Sequence, residues 1–212
     1  MIAPIPRDDI VRRYRHLADV YDRRWRRYNE QTLHSLLDVL PLSGTERILD
    51  VGCGTGEFER LALARFPRVR FTGVDVTPAM VAQAQRKLCD TPQVTWCIAQ
   101  AEHLPFTDEH FDVVVCGNVL HHVRDTAQFA QECARVLRAA GRLVLVDWCR
   151  DFWHCRLFHY WLRIVDRSYV RMYGLAELAR VMEPRGLVVE DSSRFLAPPL
   201  YGMLRVVARK GS

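Results

Sequence analysis

Three glycines at alternate positions constrain what this chain can fold into. Residues 47–58 read RILDVGCGTGEF. The apolar residues before the glycines predict a short buried strand, and apolar residues at helical spacing after Glu57 predict a helix. A ligand can approach the backbone closely at such a loop, because glycine has no Cβ and the helix N-terminus presents free N–H groups. The segment therefore predicts an α/β fold with a ligand-binding loop after a strand.

An acidic residue precedes these glycines. The order is D-x-G-x-G-x-G, with Asp50 ahead of Gly52, Gly54 and Gly56. This spacing differs from the dinucleotide fingerprint G-x-G-x-x-G, and the P-loop's Gly-Lys-Ser/Thr is absent. A carboxylate beside the loop repels a pyrophosphate but accepts hydrogen bonds from an ammonium group. The predicted ligand carries a cation, and S-adenosylmethionine, with its amino-acid end and its sulfonium, meets that requirement.

Residues 48–58 closely resemble the first motif of the class I S-adenosylmethionine-dependent methyltransferases, and the resemblance continues through residues 73–80, 100–106 and 111–123. The chain is most similar to the small single-domain branch that includes the ubiquinone/menaquinone-biosynthesis C-methyltransferases. This resemblance implies a Rossmann-like, seven-stranded, mostly parallel sheet with helices on both faces. It also implies a last strand that inserts antiparallel between its neighbours.

The 212 residues are enough for one α/β domain and few for two. We predict a single methyltransferase domain in four segments. These are N-terminal helices covering the cofactor (1–42), a cofactor-binding core (46–147), an aromatic substrate-side segment (148–173), and a C-terminal helix with a strand pair (174–212).

The bulk composition excludes several classes of protein. The net charge of +5 is a mild excess spread along the chain, without the dense basic stripe and motif of a nucleic-acid-binding protein. No apolar run is long enough for a membrane span, and the N-terminus lacks the pattern of a signal peptide. The seven cysteines form no C-x-x-C pair. We therefore expect reduced thiols in a cytoplasmic protein, without a disulfide framework or a metal site. The oligomeric state does not follow from the sequence.

Apolar spacing predicts the helices nearest the site. One helix is expected over residues 8–28 and a second over residues 31–40. Another begins after Asp125 and is expected to continue through Ala140, where Gly141 ends it. A strand over residues 142–147 should follow.

Asp75 lies about twenty residues beyond the glycine loop, where the end of a second strand meets a bound ribose in this architecture. The resemblance places Tyr14 and Tyr21 on a helix that covers the cofactor, with aromatic core packing as the competing account. It also places Met80, Ala101 and Glu102 near the adenine, with ordinary packing as the competing account for Met80. The predicted cofactor-binding residues are Tyr14, Tyr21, Asp50, Gly52, Cys53, Gly54, Gly56, Asp75, Val76, Met80, Gln100, Ala101, Glu102 and Asn118.

One of these residues departs from the family pattern. The resembling branch usually carries an aspartate where this chain has Gln100, and that aspartate accepts a hydrogen bond from the adenine amino group. A glutamine carbonyl can also accept this proton, but the contact is neutral and therefore weaker.

Methyl transfer needs a base only if the acceptor must lose a proton. The candidates are His121, His122, His154 and Asp147. The two adjacent histidines also fit packing or cofactor contact, and they lack the spacing of metal ligands.

Eight aromatic side chains lie between Trp148 and Tyr173. They predict either helices that form an apolar pocket over the site or a helix packed on the sheet edge. Arg23, Arg24, Arg26 and Arg27 form a basic run that fits a solvated helix face, and it also fits an anionic membrane surface or an acidic substrate tail.

Together these features predict methyl transfer to a small, apolar or aromatic, quinol-like acceptor. Transfer to an amine or a lipid headgroup is the alternative. A noncatalytic S-adenosylmethionine-binding subunit and a nicotinamide oxidoreductase remain as hypotheses of other classes, and Asp50 with the glycine spacing disfavours the second.

Overall fold

The computed structural model describes residues 8–40 and 42–211, so residues 1–7 and 41 of the predicted N-terminal segment lie outside it. The helices and strands follow one another in this order: α1 (Asp8–Leu17), α2 (Tyr21–Leu37), β1 (Arg47–Val51), α3 (Glu57–Arg65), β2 (Arg70–Asp75), α4 (Pro78–Lys87), β3 (Val94–Ile98), β4 (Phe111–Gly117), α5 (Thr126–Val136), β5 (Leu137–Trp148), α6 (Trp153–Val165), α7 (Leu175–Met182), β6 (Leu187–Ala197) and β7 (Tyr201–Lys210). Short 3-10 turns occupy Leu120–His122 and Glu183–Arg185.

The strands of the described chain form one seven-stranded sheet in the order β3-β2-β1-β4-β5-β7-β6. The first five strands pair in parallel, and β7 runs antiparallel between β5 and β6. The predicted fold class is therefore confirmed. Because the carboxyl ends of β1, β2 and β4 lie side by side, the loops after these strands meet at one edge of the sheet.

Alternating side chains bury both faces of the central strands. On one face, Ile48, Val113 and Val115 pack under α2 and α3, together with Leu36 and Phe58. On the other face the alternate residues of the same strands pack under α5 and α7. Two apolar layers therefore hold the sheet edge rigidly beneath its loops.

The predicted helix over residues 8–28 is wrong in one respect, because the structure breaks it into two at residues 18–20. Asp19 accepts a hydrogen bond from Gln83 at 2.5 Å, and Asp22 accepts one from Thr55 at 2.5 Å. These contacts to α4 and to the glycine loop fix the turn between α1 and α2. Within the described residues α2 then continues without a break to Leu37. The break between the first two helices therefore lies at residues 18–20, and not between residues 28 and 31 as predicted.

The helix predicted to continue through Ala140 ends four residues earlier, at Val136. Leu137 is already extended, with φ −72° and ψ 140°, and it pairs with Phe111 of β4. The His110 N–H also donates to the Val136 carbonyl at 2.8 Å. Strand pairing with β4 therefore overrides the helical spacing of these apolar residues.

Among the residues that the structure describes, no helix is both long enough and apolar enough to cross a bilayer.

Candidate active site

The backbone of the glycine loop adopts dihedral angles that are unfavourable for residues with a Cβ. Gly52, Gly54 and Gly56 have φ of +82°, +53° and +75°, in the left-handed region that favours glycine. A Cβ on Gly52 would lie 2.1 Å from a methyl carbon of Val119. A Cβ on Gly54 would meet nothing within 4 Å. Gly54 therefore faces open space, where a ligand can approach the backbone.

Asp75 ends β2 beside this loop. Its two carboxylate oxygens accept hydrogen bonds from the backbone N–H groups of Gly54, at 3.1 Å, and Thr77, at 2.8 Å. Burial raises the pKa of Asp75 above its ordinary value, and both backbone hydrogen bonds lower it. The carboxylate is thus fixed in orientation, and its remaining lone pairs are available to ligand hydroxyl groups.

A cavity of about 740 Å³, including its mouth, opens above the carboxyl ends of β1, β2 and β4. Twelve of the predicted site residues line it: Tyr14, Tyr21, Gly52, Gly54, Asp75, Val76, Met80, Gln100, Ala101, Glu102, Asn118 and His122. The structure therefore brings together residues from six separate parts of the chain.

A smaller cavity of about 420 Å³ adjoins the first on the side of α3. Asp50 and Cys53 line it, and it shares Gly52, Gly54 and Asn118 with the larger cavity. Gly56 lines neither cavity and instead forms the N-terminal boundary of α3. The two cavities together fit an elongated ligand with a cationic end near Asp50 and a nucleoside end near Asp75.

A second buried carboxyl group lies under the glycine loop. Glu59 of α3 is fully buried and lies near Asp50. Burial, with a smaller contribution from the charge of Asp75, raises the pKa of Asp50 to about 7, although the interaction with the Glu59 side chain acts in the opposite direction. Burial and the charge of Asp50 together raise the pKa of Glu59. The sequence gives one signal for this group, a charged residue on the apolar face of α3.

These raised pKa values predict how stability depends on pH. Above the ordinary carboxyl pKa of about 4, Asp50 and Glu59 bind more protons in the folded protein than in the unfolded chain, so their contribution to stability is lost as pH rises toward 8. We expect Glu59→Gln to reduce the fall in unfolding free energy between about pH 5 and pH 8 by about 1–3 kcal/mol. Urea unfolding across this range measures the fall.

Glu57→Gln is the matched control for this pH dependence. Glu57 lies two residues earlier in α3, and its pKa is lowered because hydrogen bonds from Arg60 and Lys87 outweigh partial burial. Its loss should not flatten the decline in stability toward alkaline pH. Equal pH profiles for wild type and Glu59→Gln would contradict the assignment.

His122 reaches the larger cavity with a defined tautomer. Its Nδ1 lies 2.7 Å from the carbonyl oxygen of Ser168, which can only accept, so Nδ1 carries the proton. Its Nε2 therefore accepts from the Tyr14 hydroxyl at 2.8 Å. Burial raises the pKa of Tyr14 above its ordinary value, which keeps that hydroxyl protonated. An unprotonated imidazole nitrogen thus lies at the cavity wall, where it accepts a hydrogen bond from the hydroxyl of Tyr14 on α1.

The other predicted bases lie away from the cavity wall. His121 and Asp147 form a buried pair with Nδ1 and Oδ1 2.7 Å apart, and the His121 ring stacks on Trp148 at 4.0 Å. His154 lies in α6, where its Nε2 is 3.0 Å from the Leu200 carbonyl oxygen. Neither histidine nor Asp147 lines the cavities that carry the glycine loop.

Asn118 is held by a polar network that sequence reasoning missed. Its Oδ1 accepts from the Tyr28 hydroxyl at 2.7 Å, and its Nδ2 donates to Thr32 at 3.0 Å. Trp148 Nε1 donates to the same Tyr28 hydroxyl at 2.9 Å. Asn118 itself adopts φ 61°, a conformation that asparagine tolerates better than most residues. The network links α2 and β5 to the cavity floor.

Polar contacts help to hold α1 and the start of α2 over the cavity. Arg13 pairs with Asp166, and Tyr14 pairs with His122. Lys87 of α4 pairs with Asp22 at 2.6 Å at the start of α2. Ile10 adds one apolar contact to the cavity wall. The helix therefore shields the cavity from water.

Residues 49–145 match the model of a methyltransferase domain. The match contains the glycine loop, Asp75 and His122, which the structure places around the cavities. This chain carries an S-adenosylmethionine-dependent methyltransferase domain. The class predicted from the sequence, and with it the cofactor, is confirmed.

Curated relatives of this methyltransferase domain include proteins named for different acceptors. The chain is 31% identical over 144 residues to a demethylmenaquinone methyltransferase from Thermotoga maritima, covering 66% of this chain and 58% of that protein. It is 31% identical over 169 residues to a 27-O-demethylrifamycin SV methyltransferase from Amycolatopsis mediterranei, covering 69% of this chain and 60% of that protein. The chain thus spans about three fifths of the length of these two relatives.

The fold of the methyltransferase domain also matches a solved structure. One chain of a Haloferax volcanii complex, between the Trm112 methyltransferase activator and a methyltransferase, superposes with a TM-score of 0.82 at 20% identity. The superposition covers 94% of this chain and 98% of that one. At this identity the likeness concerns the fold alone.

Proposed function

We propose that this chain transfers the methyl group of S-adenosylmethionine to a small, apolar or aromatic acceptor of the quinol type. The observation that carries the proposal is the arrangement of the larger cavity. Asp75 and the glycine loop occupy one part of its wall, whereas His122 and Tyr14 occupy another. The residues proposed for the cofactor and a candidate base therefore face one cavity.

The residues present fit the cofactor. Gly54 leaves open the space that a Cβ would fill, and Asp75 offers fixed acceptors for ribose hydroxyls. Asp50 lies in the adjoining smaller cavity, where its carboxylate would hold the ammonium group. Met80 and Ala101 would lie against the adenine. S-adenosylmethionine supplies a methyl group already activated on a sulfonium.

The remaining wall favours an uncharged acceptor. Ile10, Val119 and Val123 give the larger cavity an apolar side. No arginine or lysine of the described chain lines this cavity, so an acidic substrate tail finds no partner there. The similarity to a demethylmenaquinone methyltransferase supports the same acceptor class.

His122 is proposed as the group that takes the acceptor's proton. Its Nε2 is unprotonated because Nδ1 donates to Ser168. Since this nitrogen accepts from the Tyr14 hydroxyl, the acceptor would displace that hydrogen bond before Nε2 takes the proton of a phenolic or enolic hydroxyl. The electron pair left on the acceptor would then bond to the methyl group that S-adenosylmethionine supplies, with S-adenosylhomocysteine as the other product. Tyr14 would shield the nitrogen and position the acceptor.

Methyl transfer and cofactor binding are tested separately. We expect wild-type protein to bind S-adenosylhomocysteine in calorimetry and to transfer a labelled methyl group to a naphthohydroquinone. Asp75→Ala should lose about tenfold to a hundredfold in cofactor affinity, since two ribose hydrogen bonds to a carboxylate disappear. A matched unfolding transition in both proteins would confirm that the fold persists. Unchanged affinity would defeat the ribose assignment.

Amine methylation is the second candidate. The rings of Tyr14 and Tyr21 both line the larger cavity with centroids 6.0 Å apart, and aromatic rings of this kind can hold an ammonium. Transfer to phenethylamine but not to a naphthohydroquinone would favour this candidate. Cofactor binding with no transfer to either compound would favour a noncatalytic subunit.

A further inference from the structure

The outer face of α6 exposes large apolar side chains. Trp153, Leu157, Trp161 and Ile164 recur at helical spacing and are 74%, 66%, 55% and 83% exposed. The opposite face of the helix buries Cys155, His159 and Leu162 against the domain. The helix therefore packs with one apolar face and presents a second one to solvent. Such a continuous exposed stripe marks an interaction site.

Basic side chains border this stripe, and acidic ones are absent from the helix. Arg156 and Arg163 are exposed on α6, and Arg167 follows it. None of the three forms an ion pair with an acidic side chain in the described part of the chain. The helix sequence WHCRLFHYWLRIV contains no aspartate or glutamate. The surface is therefore apolar at its centre and positive at its border.

The stripe continues beyond α6 onto neighbouring elements. The ring of His154 contacts the carbonyl of Leu200, whose side chain is 69% exposed. Next to Leu200, Pro198, Pro199 and Tyr201 share a groove with α2, and that groove carries four further arginines: Arg23, Arg24, Arg26 and Arg27. The groove that carries the basic run of α2 thus adjoins Leu200, which contacts α6 through His154.

We propose that this surface, formed by the outer face of α6 with Leu200, docks on an anionic lipid bilayer. Tryptophan and tyrosine favour the boundary between headgroups and acyl chains, and arginines around them attract anionic headgroups. A second copy of the chain is a poorer occupant, because a twofold contact through this face would bring its unpaired arginines together. The helix lies along the bilayer surface and does not cross it.

Vesicle sedimentation tests the docking. Wild-type protein should sediment with phosphatidylcholine vesicles that contain about one third phosphatidylglycerol, and much less with phosphatidylcholine alone. The variant Trp153→Ser/Leu157→Ser/Ile164→Ser should lower the partition coefficient for anionic vesicles about tenfold or more. Arg163→Glu/Arg167→Glu should lower it about tenfold by removing the attraction to phosphatidylglycerol.

Two variants elsewhere on the surface serve as matched controls. Val188→Ser removes an exposed apolar side chain of β6, and Arg180→Glu reverses an exposed charge on α7. Both should sediment like the wild type. The proposal is overturned if wild-type protein fails to bind anionic vesicles, or if the controls lose as much binding as the α6 variants. It is also overturned if sedimentation equilibrium shows a dimer that the α6 variant abolishes while vesicle binding is absent.

Discussion

Gly54→Ala is expected to reduce the affinity for S-adenosylhomocysteine by at least about a hundredfold while the protein stays folded. The added Cβ would meet no protein atom within 4 Å, so it would occupy space in the cofactor cavity. The left-handed φ of +53° makes alanine cost about 1–2 kcal/mol in stability. Isothermal calorimetry measures the affinity, and urea unfolding measures the stability.

Gly186→Ala is the control that separates the stability cost of alanine at a positive φ from the loss of cofactor affinity. Gly186 has φ +77°, and a Cβ there also meets nothing within 4 Å, but it lies before β6, away from both cavities. This variant should lose a similar amount of stability and keep its cofactor affinity. If Gly54→Ala binds S-adenosylhomocysteine as Gly186→Ala does, the glycine loop is not the cofactor site.

His122→Gln is expected to lower kcat for a quinol acceptor by about a hundredfold to ten-thousandfold, the usual contribution of a general base. Glutamine keeps a polar group near Ser168 but provides no basic nitrogen at the cavity wall. The affinity for S-adenosylhomocysteine should change little, because the nucleoside and ammonium ends bind elsewhere. Single-turnover methyl transfer and calorimetry measure the two quantities.

His34→Gln is the control for the histidine substitution. His34 is exposed on α2, where its Nδ1 lies 2.6 Å from the Glu30 carbonyl oxygen, and its loss should leave kcat unchanged. Tyr14→Phe should lower kcat less than His122→Gln, because it removes the hydroxyl but keeps the base. A wild-type kcat in His122→Gln would rule out proton transfer to this residue.

The sequence alone predicted the sheet and the residues that we propose for the cofactor. Gly52 and Gly54 permit the positive φ that the loop adopts, because this backbone region penalises a Cβ. Asp75 follows a strand at a fixed distance from that loop, and parallel strands bring their carboxyl ends together. Local constraints and a repeating architecture therefore specify these positions without any knowledge of packing.

Only the tertiary structure decided which polar groups meet across the chain. The pairing of β4 with β5 ends α5 at Val136, although the helical apolar spacing continues beyond it. His121 and His122 are neighbours in sequence, yet one pairs with Asp147 inside the domain and the other reaches Tyr14 at the cavity wall. These outcomes depend on contacts between residues far apart in sequence, and periodicity along one segment carries no information about such contacts.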